Sequence, residues 1–304
     1  MNPRVSVIMP VFNGERFIAE AVQSVLSNSF TDLELLLIDD GSTDRSLEVA
    51  QSASKNDSRL RIVRAEHGGV GAARNRGLAE ARGEFIANLD SDDAMFANRL
   101  ARQVAFLDAN PAYLAVGSRT IVVDAKGQPQ RVGIQEFTHE EIDRAHIEGR
   151  AGAILNPTAM FRRQAVVDVG GYRSDLNATG EDFDLWLRLA EVGRLANLRD
   201  VLMRYRMHDA NVSRIDKDQR IAIRLETLRR AFARRGITDR TPQILERVRL
   251  SAGERWRNAA LLAYYSGQRR AALVRALGAA AHLPSIGETG RVISLIVGTA
   301  PPRW

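Results

Sequence analysis

Short apolar runs alternate with amphipathic stretches through the first hundred residues. Arg4 to Val11 is nearly continuous in apolar residues and predicts a buried strand. Phe12-Asn13-Gly14 is a turn, and Glu15 to Ser27 carries Phe17, Ile18, Ala21, Val22, Val25 and Leu26 in a helical stripe. Leu33 to Ile38 predicts a second strand. It runs into Asp39-Asp40-Gly41-Ser42-Thr43-Asp44, where Gly41 permits a tight turn and Ser42 or Thr43 can cap a following helix. Leu60 to Val63 is a short third strand, Val70 to Ala81 a helix ended by Gly83, and Phe85 to Leu89 a fourth strand. Strand and helix alternate, which argues for an α/β fold with a mostly parallel sheet flanked by helices.

The alternation weakens further on. A helix from Asp93 to Asp108 precedes a strand over Tyr113 to Val123, and Asp124 to Gly127 reads as a hairpin turn. Thr158 to Arg162 and Leu195 to Tyr205 are strand-like, Asp182 to Val192 is helical, and Gly170-Gly171 breaks the chain between them. A mixed sheet is expected. Beyond Ser213 the texture is helical and rich in Ala, Leu and Arg, over Lys217 to Arg235, Pro242 to Ser266 and Arg269 to Ala281. The last two resemble a single tetratricopeptide-like hairpin split at Gly267, and one pair is not a repeat array. Leu283 to Trp304, broken by Gly, Pro and Ser, reads as loosely structured. The expected division is a catalytic domain over 1–214 and an α-helical C-terminal extension over 215–304.

The candidate chemistry sits at strand ends. Asp90-Ser91-Asp92-Asp93 places three carboxylates in four positions after the apolar Phe85 to Leu89 run. Their repulsion must be offset by positive charge, from Arg, Lys or, more compactly, a hard divalent cation with oxygen ligands. The carboxyl ends of parallel strands are where open α/β sheets hold ligands. Asp39-Asp40 closes the neighbouring strand, where a carboxylate can accept a base N–H; alone, these two serve equally well as turn residues. The first strand is followed by neither a Gly-x-Gly-x-x-Gly fingerprint nor a P-loop, so glycine amides do not wrap a diphosphate there. Hydrophobic content of 45% suits a globular core, and the absence of cysteine excludes disulfides and thiol chemistry. A strand beginning by Val5 argues against a signal peptide, and no apolar run approaches a membrane span. The expected location is cytoplasmic, with peripheral contact at the inner membrane face left open.

Six motifs in order resemble the family 2 glycosyltransferases. They are Ser6-Val-Ile-Met-Pro-Val-Phe-Asn13, Asp39-Asp-Gly-Ser-Thr-Asp44, Ala73-Arg-Asn-Arg-Gly77, Leu89-Asp-Ser-Asp-Asp93, Gly180-Glu-Asp-Phe-Asp-Leu-Trp186 and Tyr205-Arg-Met-His208. The resemblance implies a GT-A fold, an inverting mechanism, a nucleotide-diphosphate sugar donor, UDP-sugar foremost, and Mn²⁺ or Mg²⁺. It places Pro10 and Phe12 at the base pocket, Asp40 with Asp39 on the base, Arg74 on the nucleotide and Asp90 near the ribose. Asp92 or Asp93 would ligate the metal that bridges the donor diphosphate, with Asp92 also counted on the donor side, and His208 would reach phosphate or metal. Asp182, with Glu181 beside it, falls where the family puts its general base; by itself, an acidic first turn simply suits the helix dipole. The family's processive Gln-x-x-Arg-Trp signature is absent, so single addition to a glycan or lipid-linked hydroxyl is expected. A catalytically silent GT-A-like binding or assembly protein is the alternative, disfavoured because every acidic position the chemistry needs is filled.

Net charge is +6; 40 of the 43 basic residues are arginine, and arginines crowd residues 214 to 275. Those arginines alternate with apolar residues at helical spacing, a pattern that puts solvent or lipid ahead of a nucleic-acid partner. The helical tail could form a homodimer contact, a lid over the acceptor, or a basic surface on anionic lipid.

Overall fold

The computed structural model describes residues 2–133, 136–176, 180–209, 217–244, 250–280 and 292–297. In chain order the elements begin with β1 (Val5–Val11), α1 (Ile18–Leu26), β2 (Leu33–Asp39), α2 (Ser46–Ser54), β3 (Leu60–Arg64), α3 (Val70–Glu80) and β4 (Phe85–Asn88). There follow β5 (Ala94–Met95), α4 (Arg99–Ala109), β6 (Tyr113–Val123), β7 (Pro129–Gly133), α5 (His139–Ile147), β8 (Met160–Arg162) and α6 (Arg163–Asp168). The chain continues through α7 (Glu181–Val192), β9 (Arg194–Arg206), α8 (Lys217–Arg234), α9 (Ala252–Tyr265) and α10 (Arg269–Ala280).

Among the described residues the strands form one sheet ordered β3-β2-β1-β4-β8-β6-β9-β5, with β7 paired to β6. β3, β2, β1 and β4 are parallel, whereas β8 runs antiparallel to both β4 and β6. The sheet is therefore mixed, as the fading alternation predicts. Its topological switch lies between β1 and β4, because the chain winds outward to β2 and β3 before returning to the other side of β1. Asp90-Ser91-Asp92-Asp93 leaves the sheet at that switch.

β1, β2 and β4 are buried on both faces, which explains their continuous apolar runs. Ile8, Leu36, Ile38 and Ile86 join Phe161, Leu185, Trp186, Leu189 and Leu195 in the main core. Gly77 lets α3 lie directly on β1, since a Cβ there would come within 2.5 Å of Ile8 Cγ2.

Several elements differ from the sequence expectation. Ser42 and Thr43 do not cap α2. The Ser42 hydroxyl accepts the Asn13 N–H (3.1 Å) and the Thr43 N–H donates to Asn13 Oδ1 (2.8 Å), so both fasten the loop to the β1–α1 turn. Asp44 Oδ1 instead accepts the Ser46 N–H at 2.9 Å. α1 starts at Ile18 rather than Glu15, because Glu15 is held by the same loop, accepting the Arg45 N–H (3.1 Å) and donating its own N–H to Asp44 (3.0 Å). No helix follows Asp93 directly: β5 intervenes at the sheet edge, where the Phe96 N–H donates to the Leu202 carbonyl (2.9 Å). α5 and α6 have no counterpart in the periodicity reading, although Thr138 and Glu141 form a full capping box on α5. α9 starts at Ala252, ten residues past Pro242, with a second capping box from Ser251 and Glu254. Of Leu283 to Trp304, residues 292–297 are helical and the rest lies outside the described residues.

The chain forms two compact units. The first comprises 1–119, 134–203 and 210–246; the second comprises 120–133, 204–209 and 247–304. Within the first, Leu228, Ala231 and Phe232 of α8 pack with Ile147, Phe183 and Leu187. Arg235 donates to Asp143 (2.8 and 3.0 Å) and to the Leu187 carbonyl (2.9 Å), fixing the end of α8 against α5 and α7. Within the second, α9 and α10 pack as a pair and α9 also meets β7.

Candidate active site

The parallel register aligns Val11 with Asp39 and Pro10 with Ile38, so Phe12 and Asp40 leave neighbouring strands side by side. Asp39 is buried and accepts the Ser42 N–H through Oδ1 at 3.0 Å. Asp40 is also buried. Its two carboxylate oxygens accept the N–H groups of Gly68 (2.8 Å) and Gly69 (3.0 Å), which fastens the β3–α3 loop to the end of β2. His67 Nδ1 lies 3.0 Å from Asp40 Oδ2, and its ring lies against Phe12, centroids 4.4 Å apart at 32°. Phe12 keeps 49% of its surface exposed, an apolar plate at the mouth of this corner. Gly41 (φ +83°) and Gly69 (φ +84°) occupy the left-handed region that lets both loops turn here.

Arg74 ties the remaining parts together. It is buried on α3, and its guanidinium donates to Asp90 Oδ1 (2.9 Å) at the end of β4 and to Glu181 Oε1 (2.7 Å) at the start of α7. The Asn156 amide lies 3.0 to 3.1 Å from all three guanidinium nitrogens, which sets its oxygen toward Arg74 and its nitrogen toward the Tyr172 hydroxyl. Burial works against the charge on Arg74, but Asp90 and Glu181 outweigh it and hold the group well above the usual arginine value. Tyr172 is fixed in turn by Asn75, which accepts its N–H (2.8 Å) and donates to its carbonyl (2.7 Å). The Gly170-Gly171-Tyr172 break thus carries the chain from β8 and α6 back over α3.

The aspartate cluster has cationic neighbours of its own. Gly14 packs against Ser91, a Cβ there meeting Ser91 Oγ at 3.2 Å, so the first turn abuts the cluster. Asp90 and Asp92 are half-buried, and Asp93 is 2% exposed. Behind them Arg99 is fully buried, donating to the carbonyls of Asn88 (2.9 Å) and Ala159 (3.3 Å) and to Gln103 Oε1 (3.0 Å). Burial lowers Arg99 to about 9, with Asp93 and Asp90 acting in the opposite direction, so it is cationic at neutral pH. Among the described residues no three His, Asp or Glu side chains form a ready metal group. His208 follows β9 in the second unit, whereas the aspartates belong to the first. A divalent ion on a nucleoside diphosphate commonly takes only one or two protein carboxylates, with phosphate and water completing its shell. The half-buried Asp90 and Asp92 fit that requirement.

Asp182 and Glu181 occupy the first turn of α7. Glu181 is spent on structure: Oε1 accepts from Arg74 and Oε2 from the Gly180 N–H (3.1 Å). Asp182 is half-buried, and its Oδ1 accepts the Phe183 N–H at 2.7 Å. Burial lifts its carboxyl to about 6, with the neighbouring Glu181 charge adding to the rise and Arg74 and Arg224 opposing it. α8 shapes this corner as well, since a Cβ on Gly180 would meet Ile223 at 2.9 Å. The structure therefore unites Arg74, Asp90, Glu181 and Asp182 at one place, and Phe12, Asp39 and Asp40 at another. His67, Arg99, Asn156 and Arg224 escaped the sequence reading, whereas Tyr172 was marked by the Gly170-Gly171-Tyr172 break.

Residues 6–170 match the family described as Glycosyl transferase family 2. The chain belongs to that family. It is a glycosyltransferase by kinship with "Putative glycosyltransferase EpsE" of Bacillus subtilis, 36% identical over 209 residues, which span 67% of this chain and 73% of that protein. Among solved structures, residues 1–349 of S. aureus TarS in complex with UDP superpose with a TM-score of 0.56 at 22% identity. That match covers 98% of this chain and 92% of the other. The mannosyltransferase PcManGT from Pyrobaculum calidifontis, in complex with GDP-Man and Mn2+, gives a TM-score of 0.54 at 21% identity, covering 97% and 81%. These likenesses establish the GT-A fold of the transferase.

Proposed function

We propose that this glycosyltransferase moves a sugar, with inversion, from a nucleoside-diphosphate donor to a hydroxyl of a glycan or lipid-linked acceptor. The carrying observation is the Arg74 bridge between Asp90 at the switch of the sheet and Glu181 at the start of α7, with Asp182 and its raised carboxyl beside it. On this proposal the bridge holds the donor side and the acceptor side of a displacement next to each other.

In this reading the base stacks on the exposed face of Phe12, and Asp40 and Asp39 fix the two loops that border it. Asp40 accepts two backbone N–H groups and still has lone pairs for a base N–H. The ribose lies toward Asp90. Asp92, at the surface of the cluster, is the residue that would hold Mn²⁺ or Mg²⁺, with Asp90 beside it. When bound, such an ion offsets the charge that gathers on the departing diphosphate. Arg99 supplies fixed positive charge below the cluster.

Asp182 accepts the proton of the attacking hydroxyl. A carboxyl near 6 is ionised at neutral pH yet more basic than an ordinary aspartate, which favours proton transfer in the transition state. Glu181, held by Arg74 and the Gly180 N–H, positions Asp182 rather than exchanging protons with the substrate. Complexes of the two structural neighbours, with UDP in one and GDP-Man and Mn2+ in the other, support a nucleotide-sugar donor here. A UDP-sugar is the first choice.

The test is a panel of UDP-, GDP- and dTDP-sugars with and without Mn²⁺, followed by nuclear magnetic resonance of the new anomeric linkage. Inverted product is expected, and retained configuration would reject the mechanism. Donor binding without turnover on any acceptor or water would favour the catalytically silent reading.

A further inference from the structure

α10 exposes Val274 and Leu277 while it buries a stripe of alanines. Ala272, Ala276 and Ala279 are buried. At this spacing they form one stripe, and it packs toward α9. Arg270, Val274 and Leu277 fall on the opposite stripe, and Val274 and Leu277 are 66% and 57% exposed. A helix evolved only to complete a two-helix hairpin would place Val and Leu inward. The same unit exposes more. Arg269 donates to the Ile296 carbonyl (3.1 Å), holding the 292–297 turn near the start of α10, and Val297 beside it is 67% exposed. Trp256, packed on Gly278, is 41% exposed. Single exposed apolar residues are ordinary. Here, four of the eight large ones among the described residues fall within 256–297.

Charge says what covers the face. Residues 247–304 hold nine arginines and two carboxylates, so this stretch alone exceeds the whole chain's net charge of +6. α10 has no acidic residue. A second copy of the same face would set arginine against arginine. Nucleic acid would use the arginines but not the valine and leucine. An anionic bilayer satisfies both, taking apolar side chains at the acyl boundary and guanidinium groups at the phosphates.

We propose that the outer face of α10, Arg270, Val274 and Leu277 with Arg269 and Val297, rests on an anionic phospholipid surface. The protein lies on the membrane by this face, since no described helix is long and apolar enough to cross one. The inference is independent of the donor reading and concerns a different part of the chain.

The full chain is to be co-sedimented with vesicles of phosphatidylcholine alone and of phosphatidylcholine with phosphatidylglycerol. Binding to the mixed vesicles only, weakened by salt, is expected. Val274→Glu with Leu277→Glu should weaken it at least about tenfold, and Arg269→Gln with Arg270→Gln should remove much of the dependence on phosphatidylglycerol. Melting curves and donor binding report that each variant is folded. Equal binding by the wild type and the glutamate variant overturns the proposal. So does a dimer in sedimentation velocity that the glutamate variant abolishes, or retention of a DNA duplex, when neither is accompanied by vesicle binding.

Discussion

Asp182 and Arg74 are the two residues on which the site turns, and they lead to opposite expectations when changed. Asp182→Asn removes the proposed proton acceptor but keeps the shape. Transfer should fall by about 10²- to 10⁴-fold while UDP affinity is unchanged; an undiminished rate would assign the base elsewhere. The wild-type rate should decline as pH drops through about 6, and the variant's residual rate should lack that limb. Because the folded value lies above the ordinary 3.8, ionised Asp182 costs the fold stability at neutral pH. The Asn variant should therefore melt higher at pH 7, by up to about 2 kcal/mol after allowance for partial exposure, and the advantage should vanish below pH 4. Arg74→Ala leaves Asp90 and Glu181 facing each other without their shared cation, and should cost about 3–5 kcal/mol in denaturant unfolding. Arg74→Lys keeps the charge but cannot span three partners and should recover little of the loss. The sequence showed that Asp90, Asp92 and Asp93 need positive charge nearby. It did not show that Arg74 and Arg99 bring some of it, because Arg99 sits beyond β5 at the start of α4 and Glu181 meets Arg74 across 107 residues.

At the scale of elements, α5 and α3 offer clear tests. Thr138→Ala breaks the capping box of α5 and should lower stability by about 1 kcal/mol in a urea titration. Gly77→Ala improves helix propensity on α3, yet its methyl would enter the space of Ile8 Cγ2; a net loss of about 1–2 kcal/mol is expected. α5 also carries His146, fully buried edge-on to Phe183, with no hydrogen bond to either ring nitrogen among the described residues. Burial, with Arg235 and Arg150 nearby, drives it from 6.5 to about 3. The unfolded chain takes up a proton that the folded chain refuses. Stability is complete above pH 6.5 and falls as pH drops toward 3, by about 1.4 kcal/mol per unit. His146→Leu should flatten that part of the unfolding profile and be neutral or stabilising at pH 7. Long periodic runs such as β1, β2, α3 and α7 were legible within a few residues, because a strand buried on both faces or a helix with one wet face writes its period into the chain. β5, with two residues, writes none, and α1 and α2 lost their first turns to side-chain bonds between loops 30 residues apart.

Across the whole molecule, a nucleoside diphosphate that binds only the folded state should raise its stability by about 2.7 kcal/mol at a hundredfold excess over Kd. The rise with UDP should be larger with Mn²⁺ than with EDTA in a thermal melt. No shift with UDP, GDP or dTDP would remove the donor site from this sheet. The sequence by itself determined the α/β alternation, the family, the acidic strand ends and the candidate base. Each of these depends on residue type and local spacing, which a chain displays directly. Tertiary structure alone decided that β4 returns beside β1, so that Asp90 opens at the switch of the sheet. It alone brought α7 to α3, making one guanidinium the joint between Asp90 and Glu181 in the proposed site. It also decided which face of α10 is wet. The reason in each case is that burial and charge pairing are properties of neighbours in space, and a sequence names only neighbours along the chain.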